Sequence, residues 1–258
     1  MAGRKPAARS TTPEAAVSEK SPGGGPFRIL HCDQWLCAID KPCGLMVHKS
    51  PRGDDRQFIM QMLRDQLGQK VWPVHRLDRA TSGVLLFALD AETAAAIGRQ
   101  IMDRSVEKRY LAVVRGFTEP EGRIDHPLST GDRRADQPAR TDYERLATLE
   151  LPIPIGRYTS ARYSLLSVWP RTGRTHQIRR HFKHIFHPLI GDTTYGEGRH
   201  NRLFRMEFGC HRLLLHAVDL TLEHPASDQP LHLHAPISGE FARIETAFFE
   251  ESRTDPSR

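Results

Sequence analysis

Residues 72–90 read WPVHRLDRATSGVLLFALD, and this stretch decides which fold the sequence predicts. The apolar run 84–89, bounded by turn residues, is typical of a buried strand. Asp78 therefore lies on a short loop that enters this strand, flanked by Arg76 and Arg79. Two neighbouring cations favour an ionised carboxylate, which can act as a nucleophile. An Asp–Arg pair that only fixes a turn would leave the same pattern, so the local sequence keeps both interpretations open.

Further motifs follow one another in a fixed order along the chain. They are DKPCG at 40–44 with VH at 47–48, HRLD at 75–78 with TSG at 81–83, KRY at 108–110, RTGRTHQIRRH at 171–181, HPLIGD at 187–192 and LHA at 215–217. Together and in this order they resemble the motifs of the RluA-type pseudouridine synthases, in which the Asp of the HRLD motif is the catalytic residue. The resemblance covers nearly all of residues 27–237 and implies that Asp78 carries the chemistry.

The apolar pattern predicts an α+β protein. Strands are predicted at 36–39, 84–89, 110–114 and 158–169, and helices at 58–67, 91–102 (capped by Asp90) and 241–249. Strands outnumber helices and do not strictly alternate with them, which favours one large mixed sheet. The resemblance implies the pseudouridine synthase fold: a bent, largely antiparallel sheet in two lobes, with flanking helices and a central catalytic cleft.

The chain has one clear compositional boundary. Residues 1–26 are rich in Ala, Ser, Thr, Pro and Gly and lack apolar periodicity, so we predict a disordered low-complexity tail followed by a catalytic domain at 27–258. No apolar run reaches the roughly 20 residues needed to cross a bilayer. The four cysteines lack C-x-x-C spacing. We therefore expect a cytoplasmic protein with reduced thiols and no membrane contact.

The charge balance points to a polyanionic partner. The net charge is +6, and most of the 37 basic residues are arginines. Arginine forks match phosphate geometry and stack on bases, which suits an RNA partner. A GC-rich genome would produce the same arginine bias, so composition alone leaves the partner open.

The segment after Arg174 predicts an amphipathic helix with Thr175 as its N-cap. Its apolar stripe consists of Ile178, Phe182, Ile185 and Phe186. Arg179 lies on the shoulder of that stripe, from which an arginine can reach into a cleft and pair with a carboxylate. A solvent-exposed arginine fits the same pattern. The resemblance places the family's active-site arginine here and so makes Arg179 the partner of Asp78.

The resemblance also implies roles for other side chains. Tyr110 would offer its ring to a flipped base, and Arg76 would fill the space that the base leaves in the RNA; by pattern alone Tyr110 is a core aromatic. His75 and His176 could equally hold loops by hydrogen bonds. The implied catalytic set is Asp78, Tyr110 and Arg179. The implied substrate-binding set is His75, Arg76, Arg79, Thr81, Arg174 and His176.

Neither a cofactor nor a metal is expected. Conversion of uridine to pseudouridine conserves all atoms, and the sequence has no glycine-rich phosphate loop. His181, His184 and His187 have metal-like spacing, but successive members rotate around a helix and no carboxylate or cysteine completes the set. We therefore predict no metal site.

Residues 191–202 match the pattern G-D-x-x-x-G-x-x-R-x-N-R, which is similar to a subgroup that modifies the uridine at position 65 of tRNA. A ribosomal RNA substrate and an RNA-binding or RNA-folding protein on this fold are the alternatives. A glycoside hydrolase ranks last, because no motif pairs Asp78 with the second carboxylate that such enzymes usually need. Since no heptad or exposed apolar stretch is present, we predict a monomer.

Overall fold

The computed structural model describes residues 25–48, 57–129 and 135–254, with side chains described up to residue 250. The predicted tail 1–26 falls outside these residues except for its last two. The strands are β1 Arg28–Cys32, β2 Leu36–Lys41, β3 Trp72–Pro73, β4 Ser82–Ala88, β5 Glu107–Arg115, β6 Glu121–Asp125, β7 Arg140–Leu151, β8 Ala161–Pro170, β9 Leu215–Glu223 and β10 Pro230–His234. The helices are α1 Ile59–Leu67, α2 Ala91–Met102, α3 Gln177–His184, α4 Gly198–Phe208 and α5 Gly239–Thr254.

These strands form one mixed sheet in the order β1-β2-β4-β9-β5-β8-β7-β6, with β3 on β4 and β10 on β9. Every pairing is antiparallel except that of β4 with β9, which joins only Ser82 to His216 and Gly83 to Ala217. The prediction of an α+β fold with a largely antiparallel mixed sheet is confirmed. The short parallel contact divides the sheet into two lobes, one around β1-β2-β4 and one around β5-β8-β7-β6.

The parallel contact depends on glycine. Gly83 has a φ of +107°, and a Cβ at this position would collide with the backbone of Ala217. Only a residue without a side chain brings β4 this close to β9 in this conformation. The TSG motif therefore has a structural reason: it joins the two lobes directly after the loop that carries Asp78.

Strand β4 is buried on both faces, which explains its continuous apolar sequence. Leu85 and Phe87 pack on the same side as α1, while Leu86 and Ala88 pack with Ile97 of α2 on the other. In the second lobe, α4 and α5 cover one face of the sheet, and α3 packs against β5, β7 and β8 on the other. The loop before β4 is thus anchored to the best-buried strand of the first lobe.

Several predicted element boundaries agree with the structure. Helix α2 has the predicted bounds, and Asp90 caps it by accepting a hydrogen bond from the Thr93 backbone N at 2.7 Å. Strand β8 begins at Ala161, three residues later than predicted, because a tight turn precedes it. Within the described residues, none of the helices is both long and apolar enough to span a membrane.

The prediction for α3 was partly wrong. Its N-cap is His176, in a left-handed conformation at φ +55°, and not Thr175. Ile178 and Phe182 are buried as expected, but Phe186 is 79% exposed. The helix ends at His184, and Phe186 itself takes a φ of +64°, so the apolar stripe stops one turn early.

Candidate active site

A buried lysine holds the backbone of the Asp78 loop in place. Lys41 is fully buried, and its Nζ donates to the carbonyl oxygens of Pro42 (2.9 Å), Arg79 (3.2 Å) and Thr81 (2.8 Å). The Thr81 N–H donates to the Asp78 carbonyl at 3.1 Å. Burial lowers the pKa of Lys41 to about 8. Because the Lys41 side chain holds two carbonyls of the turn that begins at Asp78, the backbone of Asp78 has little freedom.

His75 ties the other end of the loop to the sheet. Its Nε2 accepts a hydrogen bond from the Leu86 backbone N at 3.0 Å, so this nitrogen carries no proton. Burial, aided by the charge of Lys108, lowers the pKa of His75 to about 3. His75 is therefore a neutral ring that holds the loop and also faces the cavity beside Asp78.

Arg179 of α3 meets Asp78 from the second lobe. Its Nη1 lies 3.3 Å from Asp78 Oδ2, while its Nε and Nη2 donate to the two carboxylate oxygens of Asp192 at 2.7 and 2.9 Å. Arg179 is 6% exposed. Burial would lower its pKa, but the two carboxylates outweigh this and raise it. The guanidinium is thus permanently charged, and its orientation leaves one nitrogen for Asp78.

Asp192 orients this arginine and was not among the predicted site residues. Its side chain is fully shielded from solvent, and Oδ1 also accepts from the backbone N–H groups of Thr194 (2.8 Å) and Tyr195 (2.9 Å). Burial would raise its pKa, but the bonds from Arg179 and these N–H groups keep it below its usual value. The sequence feature that could have indicated Asp192 is a carboxylate directly after a glycine. In the structure this glycine, Gly191, has a φ of +79° and packs against the backbone of Arg212.

A cavity of about 130 Å³ opens around Asp78. Eight of the nine predicted site residues line it: His75, Arg76, Asp78, Thr81, Tyr110, Arg174, His176 and Arg179. Lys108 and Gln177, which were not predicted as site residues, line it as well. Arg79 does not, because its Nε turns away to the Gly44 carbonyl at 2.9 Å.

Tyr110 faces the cavity from β5, next to an irregularity in the pairing of β5 with β9. Burial, assisted by the charge of Asp78, raises the pKa of Tyr110 above its ordinary value. The phenol is therefore protonated at neutral pH, so it can donate a hydrogen bond from its hydroxyl and present a flat ring to a base.

His176 lies on the far side of Asp78. Its Nδ1 is 3.0 Å from the Tyr195 hydroxyl, and its Nε2 is 3.8 Å from Asp78 Oδ1. Burial lowers the pKa of His176, although Asp78 opposes the shift. A neutral ring at this distance makes no ion pair with Asp78, and Oδ1 is therefore the less constrained carboxylate oxygen.

The histidines with metal-like spacing have separate partners. His181 bonds through Nδ1 to the Thr141 hydroxyl (2.9 Å) and through Nε2 to the His126 carbonyl (3.0 Å), whereas His187 Nδ1 bonds to the Arg115 carbonyl (2.7 Å). The described part of the chain contains no group of three or more His, Cys, Asp or Glu side chains placed to hold a metal ion. His181 thus fixes α3 to β7, and His187 fixes the segment after α3 to β5.

Comparison with known proteins gives a consistent result. The family described as RNA pseudouridylate synthase matches residues 36–184. The tRNA pseudouridine synthase C of Haemophilus influenzae is 46% identical over 235 residues, which cover 86% of this chain and 98% of that protein. The protein of that name from Pectobacterium carotovorum subsp. carotovorum is 47% identical over 233 residues, but the chain spans only 62% of its length. The structure of human RNA Pseudouridylate Synthase Domain Containing 4 aligns with a TM-score of 0.66 at 25% identity, covering 86% of this chain and 92% of that one.

Proposed function

The chain belongs to the RNA pseudouridylate synthase family, and from that membership we propose that it converts uridine 65 of tRNA to pseudouridine with Asp78 as the catalytic carboxylate. The reaction breaks the N1–C1′ bond, turns the base and joins C5 to C1′. The proton lost from C5 is balanced by the one gained at N1, so the reaction requires no external oxidant, reductant or group donor.

The geometry of Asp78 is the observation that carries this proposal. One oxygen, Oδ2, is held by Arg179 at 3.3 Å, while Oδ1 lies 3.8 Å from His176 Nε2, and Asp78 lines the cavity. A paired carboxylate with one available oxygen can attack C1′ of the ribose or remove a proton from the sugar. Both routes use the same oxygen, and both require that Asp78 be ionised.

Tyr110 and Arg76 complete the proposed chemistry. A target uridine must leave its RNA stack, at a cost of a few kcal/mol. Arg76, which is exposed and lines the cavity, would occupy the vacated position. Tyr110 would stack on the flipped base with its protonated hydroxyl near C5. Thr81, Arg174 and His176 would contact the nucleotide, and Arg79 the RNA backbone outside the cavity.

The choice of tRNA rests on the relatives. Proteins that are 43–47% identical over most of this chain carry the name tRNA pseudouridine synthase C. The net charge of +6 suits a polyanion. A cytoplasmic monomer is the form that we propose, and a dimeric mass by solution scattering would contradict the oligomeric state.

The test uses purified protein and unmodified tRNA transcripts, with pseudouridine mapped by carbodiimide adducts and primer extension. We expect a single stop at position 65 with the wild type and none with Asp78→Asn, which keeps the size of the side chain. Thermal unfolding of the variant would establish that it is folded. Modification of ribosomal RNA alone would retain the chemistry and overturn the tRNA substrate. An inactive wild type on both RNAs would favour an RNA-binding or RNA-folding protein.

A further inference from the structure

A second cavity, of about 420 Å³, lies apart from the one at Asp78. It is formed by the connection between β7 and β8, the end of β5 and the start of α4. Residues 192–199 link the two cavities: Asp192 holds Arg179 at the first, and Arg199 lines the second. Seven residues span at most about 25 Å, so one RNA molecule can reach both cavities at once.

A tight turn presents an aromatic ring at this second cavity. Ile155 and Tyr158 exchange backbone hydrogen bonds of 2.9 and 3.1 Å, and Gly156 takes the φ of +61° that the turn requires. Tyr158 is 60% exposed. The Arg157 guanidinium lies 5.1 Å from the centre of its ring and donates to its hydroxyl at 2.9 Å. The ring is therefore held in place while much of its surface faces solvent.

The arginines around this cavity differ in how they are neutralised. Arg115 forms an ion pair with Glu197, and Arg162 pairs with Glu150 at 3.0 Å. Arg199, by contrast, is exposed and makes no hydrogen bond or ion pair within the described part of the chain. Its Nη1 lies against Gly156, 3.1 Å from where a Cβ would be. An uncompensated guanidinium thus stands across the turn that carries Tyr158.

We propose that this cavity is a second RNA-binding site, where Arg199 binds a backbone phosphate and Tyr158 stacks on an unpaired base remote from the target uridine. This inference rests on the proposed function for the identity of the RNA. A guanidinium matches phosphate bidentately, and an exposed aromatic beside arginines is the usual platform for unstacked bases. An acidic protein partner could also use the arginines and the ring, but RNA is the occupant that the net charge of +6 and the proposed function favour.

The test measures the affinity of the full chain for fluorescein-labelled tRNA transcript by anisotropy at several salt concentrations. Arg199→Ala should raise Kd and lower the slope of log K against log salt by about 0.7–0.9, the loss of one phosphate contact. Tyr158→Ala should raise Kd about fivefold or more with little change in slope, and Tyr158→Phe should retain wild-type affinity because it keeps the ring.

The matched control is Arg205→Ala, an exposed arginine in the last turn of α4 that does not line the cavity. Equal effects of the two arginine variants would mean diffuse charge attraction and would overturn the site. Unchanged RNA affinity in the Arg199 and Tyr158 variants would also overturn it and favour a protein partner. At saturating RNA we expect the Arg199→Ala and Tyr158→Ala variants to have wild-type single-turnover rates, because neither substitution changes the surroundings of Asp78. If the wild type modifies no RNA but these variants weaken binding, only the proposed function fails.

Discussion

Replacing Asp192 by Asn should both destabilise the protein and slow the reaction. The carboxylate is fully shielded and accepts four hydrogen bonds, two from Arg179 and one each from the N–H groups of Thr194 and Tyr195. An amide accepts through one oxygen only, and its NH₂ group faces donors. The variant therefore leaves Arg179 buried with Asp78 as its remaining carboxylate partner, at 3.3 Å.

The magnitude follows from this burial. Removing one partner of a buried charge pair costs about 3–5 kcal/mol. For a domain of this size each kcal/mol lowers Tm by about 2–4 °C, so Tm should fall by roughly 6–20 °C. Arg179 would also move toward Asp78. A misplacement of about 1 Å at a reacting group can reduce the rate about 100-fold, and we expect a loss of that order in the single-turnover rate.

Asp142→Asn is the matched control. Asp142 accepts bonds from three arginines, Arg123, Arg140 and Arg171, but unlike Arg179 these side chains are 39–59% exposed, and that of Asp142 is 19% exposed. Surface pairs contribute about 0–1 kcal/mol, so Tm should fall by no more than about 4 °C and the rate should not change. If Asp192→Asn were as mild as this control in both thermal unfolding and single-turnover kinetics, Asp192 would not be what positions Arg179.

The remaining predictions concern the loop and its supports. Lys41→Met removes the donor from the buried Thr81 carbonyl and from the part-buried carbonyls of Pro42 and Arg79. It should lower the free energy of unfolding in urea by about 3 kcal/mol, which a wild-type midpoint would disprove. Burial lowers the pKa of His75 to about 3 and that of His216 to about 4, below the unfolded value near 6.5, so their stabilisation is complete above pH 6.5 and is lost as pH falls toward 4. A free energy of unfolding that is flat between pH 7 and 5 would contradict this. Gly83→Ala should destabilise by about 3 kcal/mol or more, whereas Gly98→Ala, in open space on α2, should stabilise by about 0.5–1 kcal/mol; similar midpoints for the two would refute the close approach of β4 to β9.

The sequence predicted best what depends on local pattern. The bounds of α2 follow from its apolar period and from Asp90, and β4 follows from an uninterrupted apolar run. The resemblance of residues 171–181 to a family motif made Arg179 the predicted partner of Asp78, and the structure brings the two together. The first two features depend on residues within about two turns of helix, whereas the Asp78–Arg179 contact joins positions 101 residues apart and was predicted from the family resemblance.

What the sequence did not predict depends on how segments pack against one another, on the direction in which loop side chains project and on where a helix ends. In the sequence Asp192 has the pattern of a turn residue near glycines. Its side chain is buried because it bonds to Arg179 of α3, thirteen residues earlier in the chain, and that contact forms only in the folded protein. Arg79 is adjacent to Asp78 in sequence, yet its side chain points to Gly44, because neighbours on a tight loop project in different directions. Phe186 fits a helical stripe, but the helix ends before it.

The two lobes supply different halves of the proposed site, which connects the fold to the chemistry. Asp78 comes from the lobe of β4, whereas Arg179 and Asp192 come from the other lobe. The contact of 3.3 Å between Asp78 Oδ2 and Arg179 Nη1 therefore depends on how the lobes are joined. That joint is the short pairing of Ser82 and Gly83 with β9, reinforced by a hydrogen bond of 2.7 Å between Ser82 Oγ and His216 Nδ1. A side chain at Gly83 would push the lobes apart and lengthen the Asp78–Arg179 contact. Gly83→Ala should therefore slow the reaction even at temperatures where the variant is fully folded. If the glycine affected only stability, the rate of the folded variant would equal that of the wild type.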